Sequence, residues 1–405
     1  MKLPSTVILL GFTSLFADVG SEMIFPLLPV FVTVTLAASP ALLGVVEGAA
    51  DTVSSVLKLV AGRLSDRLGK RKPLVVFGYG LAGLVRPLMG LVGAPWQVVA
   101  IRLTDRIGKG IRSAPRDALI ADAATEGSVG RAFGFHRAMD HAGAVIGPLV
   151  ASALLAAGFE LRTVFLAAAL PSVLSVVTTL AVKDSPAPLA VSTAAPAPQV
   201  IQTPAISRRF GGFLGILLLF GLGNSSDAFL LLRAGELGVT VAELPLLWAF
   251  FHVSKLVSAA VGGRLADAVP RHRMVIAGWV VYSAVYVAFG FVAATWQVWG
   301  LFFVYGAYYG LTEPAEKALV RDIVPAEARG TAFGWYNFVV GVSALPAGLL
   351  MGALWALQGA TLALCVGAGL AGASALALAV WSGIGWREPR PPPSRREAAA
   401  PTASG

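Results

Sequence analysis

Residues 102–117 read RLTDRIGKGIRSAPRD, and seven of these sixteen residues are charged: Arg102, Asp105, Arg106, Lys109, Arg112, Arg116 and Asp117. At 100° per residue all seven fall within an arc of about 140° on a helix, with Leu103, Ile107, Ile111 and Ala114 on the other side. Carboxylates spaced i,i+4 occur twice nearer the N-terminus, as Asp18 with Glu22 and Glu47 with Asp51. Lys58 follows on the face of Asp51, and Arg137, Asp140 and His141 share a further face. A carboxyl poised between a desolvated site and a movable cation can take up and release a proton in the working pH range. FGLGNSSDAF puts Asn224, Ser225, Ser226 and Asp227 inside another apolar run. His252 and Lys255 lie in the next, and Tyr305, Tyr308 and Tyr309 precede Glu313, Pro314, Glu316 and Lys317. Tyrosines at that spacing can stack on a flat or amphipathic solute. The chemistry on offer is proton movement beside solute binding. The competing readings are structural ion pairs in the N-terminal half and an aromatic packing ridge in the C-terminal half.

The elements that must position these groups follow from composition. The chain has 405 residues, of which 56% are hydrophobic and 13% charged, with a mean hydropathy of +0.76. A soluble domain carries about 25% charged residues, so an all-α, polytopic membrane protein is expected. About 20 apolar residues are needed to cross the hydrocarbon. Twelve windows meet the need, near 6–34, 39–61, 73–93, 95–117, 130–156, 161–182, 210–233, 241–262, 274–294, 296–319, 330–356 and 359–383. The first is read as a retained span, because Asp18 interrupts it and no small-residue cleavage site follows. Exposed to lipid, each charge of the 102–117 stripe would cost roughly 2.5–3.5 kcal/mol, so the stripe is expected to face protein or a water-filled path. The organisation expected is a six-helix bundle over 1–183, a Pro/Ala/Ser-rich cytoplasmic linker over 184–209, a second six-helix bundle over 210–385 and a disordered cytoplasmic tail over 386–405.

The net charge of +9 is distributed as an orientation signal rather than a nucleic-acid surface. Arg63, Arg67, Lys70, Arg71 and Lys72 follow span two. Lys183, Arg208 and Arg209 flank the linker, Arg264, Arg271 and Arg273 follow span eight, and Arg387, Arg390, Arg395 and Arg396 lie in the tail. All fall on one side if the spans alternate, which puts both termini in the cytoplasm. The halves also repeat. WQV at 96–98 recurs at 296–298, GRAFGFH at 130–136 as GTAFGWY at 330–336, and RKPLVVFGY at 71–79 as RHRMVIAGW at 271–279, all at an offset of 200. GRLSD at 62–66 recurs as GRLAD at 263–267. Two parallel six-span repeats are one of the known transporter architectures.

GRLSDRLGKRKP (Gly62 to Pro73) resembles the loop signature G-x-L-x-D-R-x-G-R-R of the major facilitator superfamily, matching at Gly62, Leu64, Asp66, Arg67, Gly69 and Arg71. The resemblance implies twelve transmembrane helices in two parallel six-helix repeats, with this loop acting as a conformational latch. In the second copy Asp267 is followed by Ala268 rather than Arg. RIGKGIRSA (Arg106 to Ala114) is similar to the family's fourth-span motif, in which the Arg is linked to proton transfer. GAVIGPLVAS resembles its antiporter motif at Gly143, Gly147 and Pro148. The resemblance further implies a central cavity lined by spans one, four, seven and ten. On that basis the charged stripe is expected to wall the transport path. Asp18, Glu22, Arg106, Asp51 and Asp140 are the candidates for proton coupling, with Arg106 expected to pair with Asp18 or Glu22. Lys109, Arg112, Asn224, Asp227, Tyr305, Tyr309 and Glu313 are the candidates for the substrate cavity.

The function expected is proton-coupled export of a small organic solute across the inner or plasma membrane by alternating access. Uptake of an organic anion by symport is the alternative, and a non-transporting membrane receptor the third class. No Ser/His/Asp arrangement is readable and no P-loop occurs, so neither an enzyme nor ATP as energy source is expected. Cys365 stands alone, and four His and six Met lack ligand spacing, so no metal or other cofactor is expected beyond the proton gradient. Small solute, protons and the bilayer are the expected partners, with no nucleic acid and a monomeric chain.

Overall fold

The computed structural model of the chain describes residues 3–68, 70–124, 129–183, 208–324 and 329–383. Among them every regular element is helical, and the helices form twelve rods. In the first half these are α1 (Ser5–Thr35), α2 (Pro40–Leu68), α3 (Lys72–Leu91), α4 (Pro95–Ala123), α5 (Val129–Ala156) and α6 (Leu161–Ala181). In the second they are α7 (Arg208–Glu236), α8 (Glu243–Ala268), α9 (Arg271–Phe291), α10 (Thr295–Ile323), α11 (Arg329–Gln358) and α12 (Ala360–Gly383). Eight are long and apolar enough to cross a membrane. The other four, α2, α4, α8 and α10, hold many of the charges singled out above. Residues 184–207 of the expected linker and all of the expected tail lie outside the described residues, as does Gly69 of the loop motif. The side chains of Asp66 and Arg67 also lie outside them.

The sequence repeat has physical counterparts. α4 and α10 begin and end 200 residues apart. The side chain of Gln97 accepts the backbone N–H groups of Gly93 and Ala94, at 2.7 and 3.0 Å, and so caps the start of α4. Gln297 does the same for Ala293 and Ala294 at the start of α10. Such caps satisfy N–H groups that have no partner inside the helix. Arg71 pairs with Asp122 and Arg271 with Asp322, tying the starts of α3 and α9 to the far ends of α4 and α10. α2 packs on α4 as α8 packs on α10, and α3 on α4 as α9 on α10.

Among the described residues four rods are interrupted, α1, α3, α6 and α7, and in α1 and α7 the sequence says why. α1 is regular through Glu22; Pro26 and Pro29 then open it into short turns as far as Thr35. α7 stops at Gly223 and restarts at Ala228. Tyr282 donates to the carbonyl of Gly223 at 3.0 Å, which meets one of the acceptors freed by the break.

The halves meet through glycine. The most extensive contact between them runs along α2 and α11, with a second between α5 and α8. A Cβ on Gly48 would lie 2.7 Å from the carbonyl oxygen of Ala344, and one on Gly352 2.9 Å from the Cα of Ala41. Without side chains there the backbones approach closely, as small residues allow between membrane helices. Ser152 donates to the carbonyl of Ala242 at 2.8 Å, and Val30 packs against Gly235. These links gather at the end of the rods that carries the loops at 36–39, 157–160 and 237–242. The apolar cores are distributed to match: one large cluster draws on α7 to α12 and takes in Leu43 of α2, and two smaller ones draw on α1 to α6.

Candidate functional site

A cavity of about 620 Å³ lies between the halves, within the range of roughly 300–1,000 Å³ of small-molecule sites. From the first half it is lined by Glu22, Glu47, Asp51, Lys58, Arg106 and Lys109. From the second it is lined by Asn224, Asp227, His252, Lys255, Tyr309 and Glu313, among others. Of the residues expected to form the substrate cavity, Lys109, Asn224, Asp227, Tyr309 and Glu313 therefore line it. Arg112 and Tyr305 do not.

The charged stripe of α4 divides. Its arc is wide enough to touch α2 on one side and α3 on the other, and most of its charges are taken by those neighbours. Arg102 makes two hydrogen bonds of 2.8 Å and one of 3.0 Å to Glu47, with both residues at 5% exposure or less. Asp105 accepts from Arg86 at 2.6 Å, and Arg86 also donates to the carbonyl of Ala17. Arg112 is buried with its guanidinium 4.2 Å from the centre of the Tyr79 ring. Arg116 turns to Asp117 at 2.8 Å. Only Arg106 and Lys109 of the stripe reach the cavity. Arg106 stands 3.8 Å from Asp51, so its ion pair runs to α2 and not to Asp18 or Glu22 of α1.

The α1 carboxylates are set by α5. A Cβ on Gly143 would lie 2.6 Å from the carbonyl oxygen of Leu15 and 2.9 Å from the Cβ of Asp18. One on Gly147 would lie 2.6 Å from the carbonyl of Val19 and 3.1 Å from the Cβ of Glu22. The antiporter-like stretch, with Pro148 inside the helix, is thus the seat on which Asp18 and Glu22 rest. Glu22 lines the cavity and accepts from the indole N–H of Trp248 at 2.8 Å, a link from α1 to α8. Asp18 does not line it, nor does Asp140, which lies 3.5 Å from His136.

In the second half, Asp227 stands at the restart of α7 and accepts from Tyr305 at 2.7 Å and Tyr309 at 3.0 Å. Tyr305 is fully buried behind it, as its positioning partner. The ammonium of Lys255 sits 3.7 Å from the centre of the Tyr309 ring. Of the expected latch, Gly62 leaves room for a Cβ, which would lie 3.5 Å from the Cβ of Ala114, and Arg71 pairs with Asp122. Trp248, Arg86, Trp279 and Tyr336 were not singled out from sequence. Each is a single residue whose role depends on a partner on a different rod. Among the described residues no group of His, Cys, Asp and Glu is arranged to hold a metal ion.

Comparison with known proteins agrees with this architecture. The family profile described as Major Facilitator Superfamily matches residues 10–232 and 211–404. A protein of Methanocaldococcus jannaschii described as an uncharacterised MFS-type transporter is 32% identical over 361 residues, covering 87% of this chain and 89% of its own. The multidrug resistance protein MdtG of Enterobacter lignolyticus is 26% identical, covering 78% of this chain and 77% of its own. The crystal structure of the nucleoside transporter NupG superposes with a TM-score of 0.78 at 15% identity, over 93% of this chain and 98% of that one, a likeness of fold. With two bundles joined by glycine seams around a charged cavity, and a profile that matches both, the chain belongs to the major facilitator superfamily and is a membrane transporter rather than an enzyme.

Proposed function

We propose that the chain exports a small organic solute in exchange for protons. The observation that carries this reading is the cavity itself: titratable groups of both halves converge on it, while the recorded links between the halves gather at one end of the rods. That is the arrangement alternating access requires, with a site at mid-depth and a gate that can change sides. The Lys and Arg distribution supports cytoplasmic termini, which makes the closed end the outer one and opens the cavity inward. Asp51 with Arg106, and Glu22 with Trp248, are pairs that a proton or a solute would compete for. Asp18 and Asp140 stand behind them on the same half. The seat formed by Gly143, Gly147 and Pro148, and relatives described as multidrug resistance proteins, favour export. Uptake of an organic anion is the second reading, favoured by Lys58, Arg106 and Lys109 on one wall.

One proton moving down about 100 mV supplies roughly 2.3 kcal/mol, enough for about a fifty-fold gradient of a neutral solute at one-to-one exchange. Asp18→Asn, Glu22→Gln, Asp51→Asn and Arg106→Ala, assayed in proteoliposomes with and without a pH gradient, test the coupling. At least one carboxyl variant is expected to keep downhill movement and lose the pH-driven component. If all four respond to the gradient like the parent, coupling by this cluster is refuted. Solute and proton moving in the same direction in the parent would replace export with symport.

A further inference from the structure

We propose that Glu316, with Phe220, Tyr308 and Tyr336, forms a recognition subsite for the positive charge of an organic cation, a quaternary or protonated amine. The proposal rests on the transport reading above and names a substrate class for it. Glu316 lies on α10 at 7% exposure, and its remaining surface faces the cavity. The indole N–H of Trp279 donates to one carboxylate oxygen at 3.0 Å, and the Tyr336 hydroxyl donates to the other at 2.8 Å. Among the described residues no ion pair is recorded for it, although its neighbours on the same rod, Glu313 and Lys317, are paired at 3.0 Å. The aromatic frame is continuous: Phe220 stacks on Trp279 with ring centres 4.4 Å apart, and Tyr308 lies 6.1 Å from Phe220. Phe220, Tyr308 and Tyr336 line the cavity, while Trp279 is fully buried behind them.

Two neutral donors hold the carboxylate in place and leave its charge without a counter-ion. A buried carboxylate in that condition is costly unless a proton neutralises it or a cation completes it, and an arriving cation would replace the proton. Ring faces beside it attract the same ligand through their quadrupoles, and aromatic cages are a recurrent solution for ammonium groups. The sequence repeat sharpens the contrast. At the offset of 200, Glu316 corresponds to Arg116, Trp279 to Tyr79 and Tyr336 to His136, so the repeat inverts the sign of charge at this position. The first-half copy is closed, with Arg112 over the Tyr79 ring and Arg116 on Asp117. The second-half copy is open to the cavity.

The bland alternative is that Glu316 only ties α9, α10 and α11 together as a hydrogen-bond acceptor. A glutamine would serve that role nearly as well, which provides the test. The full-length chain, purified in detergent, is titrated with tetraphenylphosphonium and with its shape-matched anion tetraphenylborate by equilibrium dialysis against a detergent blank. Tetraphenylphosphonium is expected to bind the parent. Glu316→Gln is expected to weaken it at least tenfold while leaving tetraphenylborate unchanged or tighter. Glu316→Asp keeps the charge and is expected to retain part of the cation affinity, which guards against a folding defect in the first variant; thermal unfolding of both is measured alongside. Asp227→Asn, at another cavity carboxylate of this half, is expected to change cation affinity less than Glu316→Gln. Equal cation affinity in Glu316→Gln and parent, a parallel loss of both probes, absence of cation binding to the parent, or a larger loss in Asp227→Asn each overturns the proposal. Charge-selective binding that depends on Glu316 in a protein that moves no solute in proteoliposomes upholds the subsite and refutes the transport reading instead.

Discussion

Glu47 and Arg102 show what a single buried charge requires in this protein. Both are withdrawn from water, and three hydrogen bonds between them replace the lost hydration. Removing one partner strands the other, which costs about 3–5 kcal/mol, whereas replacing both with apolar residues of similar size is often neutral. Glu47→Ala and Arg102→Ala are therefore each expected to lower the thermal unfolding midpoint in detergent, and Glu47→Leu/Arg102→Met to recover most of the loss. A double variant no more stable than either single one would show that the pair is not a closed unit. Asp105 with Arg86 belongs to the same class. The pair of Asp51 and Arg106 differs: at 3.8 Å, and with the Asp51 side chain about half exposed, it is loose enough to be exchanged for a proton or a solute.

Helices transmit such exchanges through the seams where they touch. α2 and α11 meet at Gly44, Gly48, Gly348 and Gly352, and the Thr52 hydroxyl donates across the seam to the Gly341 carbonyl at 2.7 Å. A side chain in that seam would act on the closed arrangement far more than on one in which the halves have parted at this end. With Cys365 replaced by serine, cysteines at Ser152 and Ala242, which meet across α5 and α8 at the same end, are expected to cross-link readily. Adding Gly48→Val is expected to reduce the yield several-fold while the unfolding midpoint stays within a few degrees. Undiminished cross-linking would mean that the seam tolerates a side chain and does not set the closed state. The seat of α1 on α5 makes a parallel case. Gly147→Leu is expected to displace Glu22 from Trp248, and a blue-shifted or dequenched Trp248 emission in a background whose other eight tryptophans are replaced by phenylalanine would report it; unchanged emission would show that α5 does not position Glu22.

The molecule as a whole is two bundles closed against each other at one end. If the Lys and Arg distribution sets orientation, that end faces outward and the cavity opens to the cytoplasm. In a Cys365-free background, a cysteine at Glu160 is then expected to react with an impermeant maleimide from outside intact cells. Cysteines at Lys183 and at the cavity residue Lys58 are expected to react only in inverted vesicles. Reaction of Lys183→Cys from outside would reverse the orientation, and reaction of Lys58→Cys from outside would place the opening at the other end.

Hydropathy, the internal offset of 200 and the loop motif were enough to specify the class, the helical repeat and the family, because each is written locally. A span needs about 20 apolar residues in a row, and a duplicated bundle leaves its blocks at one spacing. The cost of charge in lipid likewise specified that the stripe of α4 must face inward. Helical periodicity, however, gives the angle of a side chain and not the neighbour found there. Only the packing of α4 between α2 and α3 decided that Arg102, Asp105 and Arg112 are consumed by Glu47, Arg86 and Tyr79, leaving Arg106 and Lys109 to the cavity. Glu22 with Trp248, 226 residues away, and Glu316 with Trp279 and Tyr336, from three different rods, depend on distances that no local pattern encodes. A charge finds its partner by proximity in space, and that proximity is fixed by how the helices pack.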